Sequence, residues 1–366
     1  MKFTIPRDVL LPSLQTVNGV IERRHTLPIL SNILVTIDPS GISITGTDME
    51  VELISMISQD MSDHVELTLP ARKLLDICRA LPEGAELKFS FDKDRITLTS
   101  GRSRFVLATL PASDFPNTEI ASAVAVFDIP QRLLKALLAD TMFAMAQQDV
   151  RYYLNGLLLE VDKGLLRAVA TDGHRLALKE LPVAIEVEEP VPVIIPRKGV
   201  TELARLLDES DEMANAQISQ NHIRINLKDL QFTSKLIDGR FPDYERVIPR
   251  PSEKPIIADR EALRQSLNRA SILSNEKYKG IRLVLEKDNL KAIAHNPDQE
   301  EAEEELGVEY AGAPLEIGFN VSYLLDALNT LKTDRVHISI NDPSSSCLLL
   351  PSEEAGCKYV VMPMRL

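Results

Sequence analysis

The sequence predicts an α+β protein built from three repeats of one unit, each with two helices packed on antiparallel sheets. Three observations carry that expectation: a strand-to-helix segment that occurs three times, a second helix that recurs at matching spacing, and alternating apolar and polar residues through most of the rest. The first segment is FTIPRDVLLPSLQTVNG from Phe3, echoed by FDIPQRLLKALLADTMF from Phe127 and more faintly by IADREALRQSLNRASIL from Ile257. The second helix reads PARKLLDICRALPEG from Pro70, PRKGVTELARLLDES from Pro196 and FNVSYLLDALNTLKT around Leu324, Leu325 and Asp326. Between them, Asp48 in TGTDMEVEL and Asp172 in VATDGHRLAL lie 124 residues apart, with Asn296 another 124 on. Phe115 and Pro116 correspond to Phe241 and Pro242, 126 residues later. The repeats therefore run 1–122, 123–252 and 253–366.

Taken in order, the elements follow from periodicity. Apolar residues at helical spacing, such as Leu133, Leu134, Leu137 and Leu138, or Leu203, Leu206 and Leu207, place helices in windows 7–18, 72–81, 131–148, 197–208, 260–275 and 321–332. GISITG, ELKFSFDKDRITLTS, LLRAVAT, HIRINLKD, GIRLVLEKDNLKAIA and VHISIND alternate with period two between turn residues and read as strands. Pro12 falls inside the first helix, where the lost hydrogen bond should kink or shorten it.

The chain has 366 residues, 44% apolar and 26% charged, with 15 glycines, which excludes disordered and collagen-like classes. No stretch approaches 18 apolar residues, and the start lacks the long apolar core of a secretory signal. Cys78, Cys347 and Cys357 form no CxxC pair, and the six histidines are scattered without HExxH. The expectation is a cytoplasmic, reduced protein with no metal, no cofactor and no membrane partner. The net charge of −13 argues against a polyanionic partner only if it is evenly spread. It is not: the six helical windows carry 13 basic and 7 acidic residues, a net +6, and the remainder carries −19. Arg23, Arg24, Arg151, Lys277 and Lys279 lie just outside those windows. Such a layer is the footprint of one face meeting nucleic acid, although Lys and Arg also simply solvate helix surfaces.

The three repeats, with TLPIL, GTDME, DICRALPEG, SGRSRF, DVRYYLNG, TDGHRLA, DGRFPDY, ASILSNEK, FNVSYLLDAL and the terminal YVVMPMRL, resemble the bacterial sliding clamps, the β subunits of DNA polymerase III, from Met1 to Leu366. The resemblance implies a non-enzymatic processivity factor: a head-to-tail homodimer forming a closed ring that encircles double-stranded DNA, slides without sequence specificity and tethers polymerase. A size argument agrees. With helices packed ~8–10 Å apart, six in a circle leave a bore of about 9 Å, whereas twelve from two chains leave on the order of 28 Å, enough for duplex DNA and water. Closing such a ring joins repeat one of each chain to repeat three of the other. Lys73, Arg95, Arg102 and Arg104 then face the acidic run with Glu300, Glu301, Glu303, Glu304 and Glu305, while the family resemblance implies Phe105 and Leu107 against Ile272 and Leu273 as the apolar centre. Read alone, such an acidic run is more often a solvated loop.

The resemblance further implies DNA contacts at Arg24, Arg72, Gln148, Tyr152 and Tyr153, chemically suited to phosphate, a neutral hydrogen bond and stacking. Arg23 beside Arg24 competes for the same role, and the two tyrosines also read as strand core. A peptide pocket between repeats two and three is implied at Leu154, Thr171, Gly173, His174, Arg175, Leu176, Pro242, Arg246, Val247, Asn320, Tyr323, Ser346, Val360, Met362, Pro363 and Met364. The methionine-rich terminus suits several partners: the DNA polymerase III catalytic subunit, the clamp loader, and other polymerases and repair proteins carrying a clamp-binding peptide. TDGHR also reads as a tight turn capped by Asp172. The rival class is an enzyme acting on nucleotides or DNA. It requires GxxxxGK[ST] or GxGxxG, both absent, or a carboxylate metal cluster, for which the acidic run is the one candidate.

Overall fold

The computed structural model describes residues 2–22, 27–60, 64–92, 95–118, 121–352 and 356–365, and in them the sequence repeat is a repeat of structure. The first repeat runs β1 (Lys2–Pro6), α1 (Arg7–Val17), β2 (Asn32–Asp38), β3 (Gly41–Thr47), β4 (Val51–Ile57), β5 (Val65–Pro70), α2 (Ala71–Ala80), β6 (Glu86–Asp92), β7 (Arg95–Ser100) and β8 (Ser103–Ala108). The second follows the same order: β9 (Ala125–Pro130), α3 (Gln131–Ala139), β10 (Gly156–Asp162), β11 (Leu165–Thr171), β12 (Arg175–Pro182), β13 (Val191–Pro196), α4 (Arg197–Leu206), β14 (Met213–Ile218), β15 (His222–Asn226) and β16 (Leu230–Lys235). The third comprises β17 (Ile256–Asp259), α5 (Arg260–Ser271), β18 (Gly280–Glu286), β19 (Asn289–His295), β20 (Glu301–Gly307), β21 (Leu315–Asn320), α6 (Val321–Thr330), β22 (Arg335–Ser339), β23 (Cys347–Pro351) and β24 (Cys357–Val361). Among the described residues no helix is long and apolar enough to cross a membrane.

Each helix starts directly out of a strand. Pro6, Pro70, Pro130 and Pro196 end their strands, and the preset φ of proline holds the chain extended at the junction. In the third repeat Asp259 and Asn320 replace proline and cap instead, accepting from Ala262 N at 2.7 Å and Ser322 N at 2.9 Å. The first helical N–H, orphaned by helix geometry, finds a carbonyl from another segment: Arg7 on Ala85, Gln131 on Glu212, Arg197 on Asn155, Arg260 on Asp334 and Val321 on Lys279. The buried stripes repeat as well, with Leu10 and Leu14 in α1, Leu134 and Leu138 in α3, and Leu263 and Leu267 in α5.

Two helix expectations are corrected. Pro12 neither breaks nor shortens α1. It sits on the exposed side, while Leu10, Ser13, Leu14 and Val17 hold the other side in the core. The window 131–148 is too long, because α3 stops at Ala139. The Thr141 hydroxyl donates back to the Leu137 carbonyl at 2.7 Å, a 3-10 turn follows at Met142–Ala144, and Ala146 N turns to the Leu154 carbonyl.

Strand pairing crosses the repeats. The chain forms two compact units, Met1–Arg132 with Thr201–Leu236, and Leu133–Val200 with Ile237–Leu366, the division passing through α3 and α4. The first unit holds a four-stranded sheet β1-β6-β7-β8 and an eight-stranded sheet β5-β2-β3-β4-β16-β15-β14-β9. The second holds an eight-stranded sheet β13-β10-β11-β12-β24-β23-β22-β17 and a four-stranded sheet β20-β19-β18-β21. The eight-stranded sheets arise where β4 pairs with β16, Val51 opposite Ser234, and where β12 pairs with β24, Arg175 opposite Val361. All sheets are antiparallel, with one face on the helices and apolar core.

Candidate binding groove and nucleic-acid interface

The groove implied near the C-terminus begins with the turn between β11 and β12. Asp172 accepts from His174 N at 2.9 Å and Arg175 N at 3.0 Å, and the Thr171 hydroxyl accepts from Gly173 N at 3.1 Å. Gly173 stands at φ 87°, a conformation glycine adopts without a Cβ penalty. The capped turn leaves His174 exposed and turns Arg175 inward. The Arg175 guanidinium bonds Asp172 at 3.1 Å, the Phe143 carbonyl at 2.8 Å and Asp326 of α6, and lies 4.6 Å from the centroid of the Tyr323 ring. His174 stacks against Tyr323 at 6.4 Å.

The chain beyond β24 is tied across this turn. Met362 N donates to the His174 carbonyl at 2.8 Å and Met364 N to the Gly318 carbonyl at 2.9 Å, while the Ser346 hydroxyl meets the Met362 sulfur at 3.0 Å. Met362, Pro363 and Met364 are half-buried. Leu154, Leu176 and Val360 lie in one buried apolar cluster with Phe241 and Tyr244. On the other side, the 3-10 turn Tyr244–Val247 leaves Arg246 86% exposed, with exposed Pro242 and Val247. Asn320 spends its amide on the fold, capping α6 and donating to the Tyr278 carbonyl at 3.3 Å.

Tyr244 fixes that turn. Arg167 of β11 donates to the Tyr244 hydroxyl at 2.9 Å, and the hydroxyl donates to Glu160 of β10 at 2.9 Å. Burial, reinforced by the hydrogen bond to Glu160, pushes the phenol up to about 12. Tyr244→Phe keeps the ring but strips a hydroxyl bonded to two charged groups. It is expected to lower stability by about 1–3 kcal/mol, read as a shift of the urea unfolding midpoint. An unchanged midpoint would show that the hydroxyl does not hold the turn. Sequence reasoning missed Phe143, Tyr244 and Asp326. The available signal was that Arg175, aimed inward beside Leu176, needs acceptors and a carboxylate.

Of the candidate DNA contacts, Arg24 lies outside the described residues, as does Arg23. In the first compact unit Arg72 occupies the first turn of α2, half-buried, with its Nε buried without a partner and Nη2 3.5 Å from the Ile21 carbonyl. In the second, Gln148 stands exposed at φ 56°, beside a 95% exposed Val150. Arg151 bonds Asp149 at 2.8 and 3.0 Å, which draws the Asp149 carboxyl down to about 2. The strand-core reading of Tyr152 and Tyr153 is corrected: they start a 3-10 turn, Tyr152–Leu154, with Tyr152 57% exposed and edge-on to Tyr153 at 5.7 Å. With the observed boundaries the six helices carry 12 basic and 5 acidic residues, so the charge asymmetry grows.

Two of the sheet edges, β8 and β20, carry or adjoin the residues implied at a chain-to-chain interface. On and beside β8, Arg95, Arg102 and Arg104 are exposed, Phe105 is half-buried and Leu107 is buried; Lys73 is exposed on α2. On the other unit Ile272 is 75% exposed and Leu273 half-buried just after α5. The loop reading of the acidic run is corrected from Glu301 onward, where it forms the edge strand β20. Its carboxylates are already paired within the unit: Glu303 and Glu305 on Lys291, Glu304 on Arg269, while Glu300 accepts from the Asn296 amide. Among the described residues no three His, Cys, Asp or Glu side chains gather where they could hold a metal ion.

Comparison with known proteins places this architecture. The family models for the DNA polymerase III beta subunit match in chain order: the N-terminal domain over residues 1–119, the central domain over 128–243 and the C-terminal domain over 245–365. The chain is 52% identical to the beta sliding clamp of Pseudomonas putida across the whole of both chains. Among solved structures it is similar to a sliding clamp of Pseudomonas aeruginosa with ligand, at 51% identity and a TM-score of 0.97 over all of both chains. A Pseudomonas aeruginosa clamp bound to griselimycin matches at 52% identity and a TM-score of 0.96, again over all of both chains. Three consecutive domain matches and half-identical relatives of equal length lead to one conclusion: the chain belongs to the DNA polymerase III beta subunit family, the beta sliding clamps.

Proposed function

We propose that this sliding clamp, a non-catalytic processivity factor of DNA polymerase III, works as a closed head-to-tail ring of two chains around duplex DNA. The observation that carries the ring is the rule of strand pairing. The fourth strand of repeat one (β4) pairs with the last strand of repeat two (β16), and the fourth strand of repeat two (β12) pairs with the last of repeat three (β24). The fourth strand of repeat three (β20) is left at a sheet edge, as is the last strand of repeat one (β8). Unpaired edges invite a partner strand, and a second copy supplies the matching one for each. Arginines beside β8 and glutamates on β20 favour that register, with Phe105, Leu107, Ile272 and Leu273 as the apolar centre. The domains of the ring are 1–122, 123–252 and 253–366.

Within the ring, the basic helices supply a loose, sequence-independent hold on phosphates, and Arg24, Arg72, Gln148, Tyr152 and Tyr153 make the contacts. The groove around Leu176, Val247 and Met362 takes a short peptide with apolar anchors. Its bearers are the polymerase catalytic subunit, the clamp loader and other polymerases and repair proteins, all in the cytoplasm. The capped turn and buried floor support this reading because a preformed groove binds without an ordering cost. The test is retention on DNA. The protein is expected to stay on closed circular duplex after loading and to run off once the circle is cut. Arg24→Glu with Arg72→Glu is expected to shorten retention at least tenfold and to flatten its salt dependence. Equal retention on circular and linear DNA would overturn the ring, and unchanged retention of the double variant would overturn the assigned contacts.

A further inference from the structure

A cleft of about 410 Å³ opens on the third-repeat sheet beside the peptide groove. Its floor is the face of β18 and β19 opposite the core: Arg282 stands between buried Ile281 and Leu283, with Gly280 on the same face, and Ile293 and His295 alternate with buried Ala292 and Ala294. Gly280, and Gly318 opposite Arg282, remove side chains from this surface, and Met364 crosses there with its N–H on the Gly318 carbonyl. One wall is Tyr278, 56% exposed, and another is the tail at Met364 and Arg365. The backbone at Tyr278 is held: Asn275 accepts from Lys277 N and Tyr278 N at 2.9 and 3.0 Å, and the Tyr278 carbonyl accepts from Asn320. The cleft is thus continuous with the groove through two groove residues, Met364 as a shared wall and Asn320 as a brace.

Its chemistry is specific. Tyr278, Ile293 and Met364 give it an apolar base. Arg282, Arg365 and neighbouring Lys277 give it a cationic rim and His295 a polar corner, against which Glu316 faces Arg282 at 3.1 Å and Glu301 faces His295 at 3.9 Å. We propose that this cleft is an extension site for the same partner peptide, taking an aromatic or branched apolar side chain followed by a carboxylate from the segment flanking the groove anchors. The inference rests on the groove reading. It makes flanking sequence, and not the anchors alone, a determinant of which partner wins the clamp, because burying one more apolar side chain is worth about tenfold or more in affinity.

The test uses fluorescein-labelled peptides that share one leucine and phenylalanine anchor sequence and carry either Gly-Ser or Phe-Glu at each end in turn. Their affinities are read by anisotropy on the full chain, with griselimycin as competitor. The expected result is that Phe-Glu on one end tightens binding roughly five- to twentyfold over Gly-Ser. Ile293→Asp and His295→Glu should each remove that gain while leaving the Gly-Ser peptide unchanged. His295→Glu, at a side chain 51% exposed, keeps the comparison valid should Ile293→Asp destabilise the sheet. Equal affinity for both extensions, or a gain that survives His295→Glu, overturns the cleft alone. Failure of griselimycin to displace the Gly-Ser peptide overturns the groove reading and the cleft with it.

Discussion

Lys179→Ala is expected to lower the free energy of unfolding by about 1–3 kcal/mol, because it removes one buried charged partner of the Asp140 carboxylate. The Lys179 side chain is 4% exposed and that of Asp140 9%, with Nζ and Oδ2 3.4 Å apart. Lys179 projects from β12, and Asp140 is the residue at which the third helix gives way to the turn carrying Thr141 and Phe143. A buried charge that loses one partner keeps its desolvation cost with less compensating attraction, whereas removing both charges of a pair costs less than removing one. Lys179→Met with Asp140→Leu should therefore recover part of the loss. Urea unfolding followed by circular dichroism checks this, read on the first transition because two compact units need not unfold together. A loss under about 1 kcal/mol for Lys179→Ala, or a double variant no better than the single, would show that solvent relieves the pair.

Ile272→Ala with Leu273→Ala is expected to turn the proposed dimer into a folded monomer. Ile272 is 75% exposed, so its truncation takes little from the core of its own repeat, and in the proposed ring its contacts come from the other chain. Light scattering at low micromolar concentration should give twice 40.8 kDa for the unaltered protein and 40.8 kDa for the variant, with the same circular dichroism spectrum. The monomer should also fail to stay on closed circular DNA, since an open chain cannot be topologically linked. An unchanged mass for the variant would sink the assignment of these residues to the interface. The acidic strand complicates one detail usefully: Glu304 is already bonded to Arg269 within the unit, so Glu304→Gln should change dimer stability less than the apolar pair does.

Much of the fold was legible because its signals are local. The stripes Leu10 and Leu14, Leu134 and Leu138, and Leu263 and Leu267 show helical spacing within a single turn or two, and strands such as Gly41–Thr47 show period two. The Asp172 turn was readable for the same reason, since its hydrogen bonds reach two and three residues along the chain. Helix ends were less legible. Pro12 breaks an isolated helix but not one whose opposite side is clamped in a core, and α3 ends at Ala139 through a threonine hydroxyl and a carbonyl supplied from elsewhere.

By itself, then, the sequence determined the α+β class, the threefold repeat, the helices and their basic bias, and the residues from which a groove could be made. Only the tertiary structure decided that β16 adds to β4 and β24 to β12, that Tyr152 stands exposed on a turn, and that Arg175 is shared among Asp172, Asp326 and Phe143. The physical reason is range. Periodicity and capping act over a few residues and leave their mark in the order of the letters, whereas strand partners and ion pairs join residues 150 or more positions apart, such as Arg175 and Asp326, and are chosen by what the whole chain can bury at once.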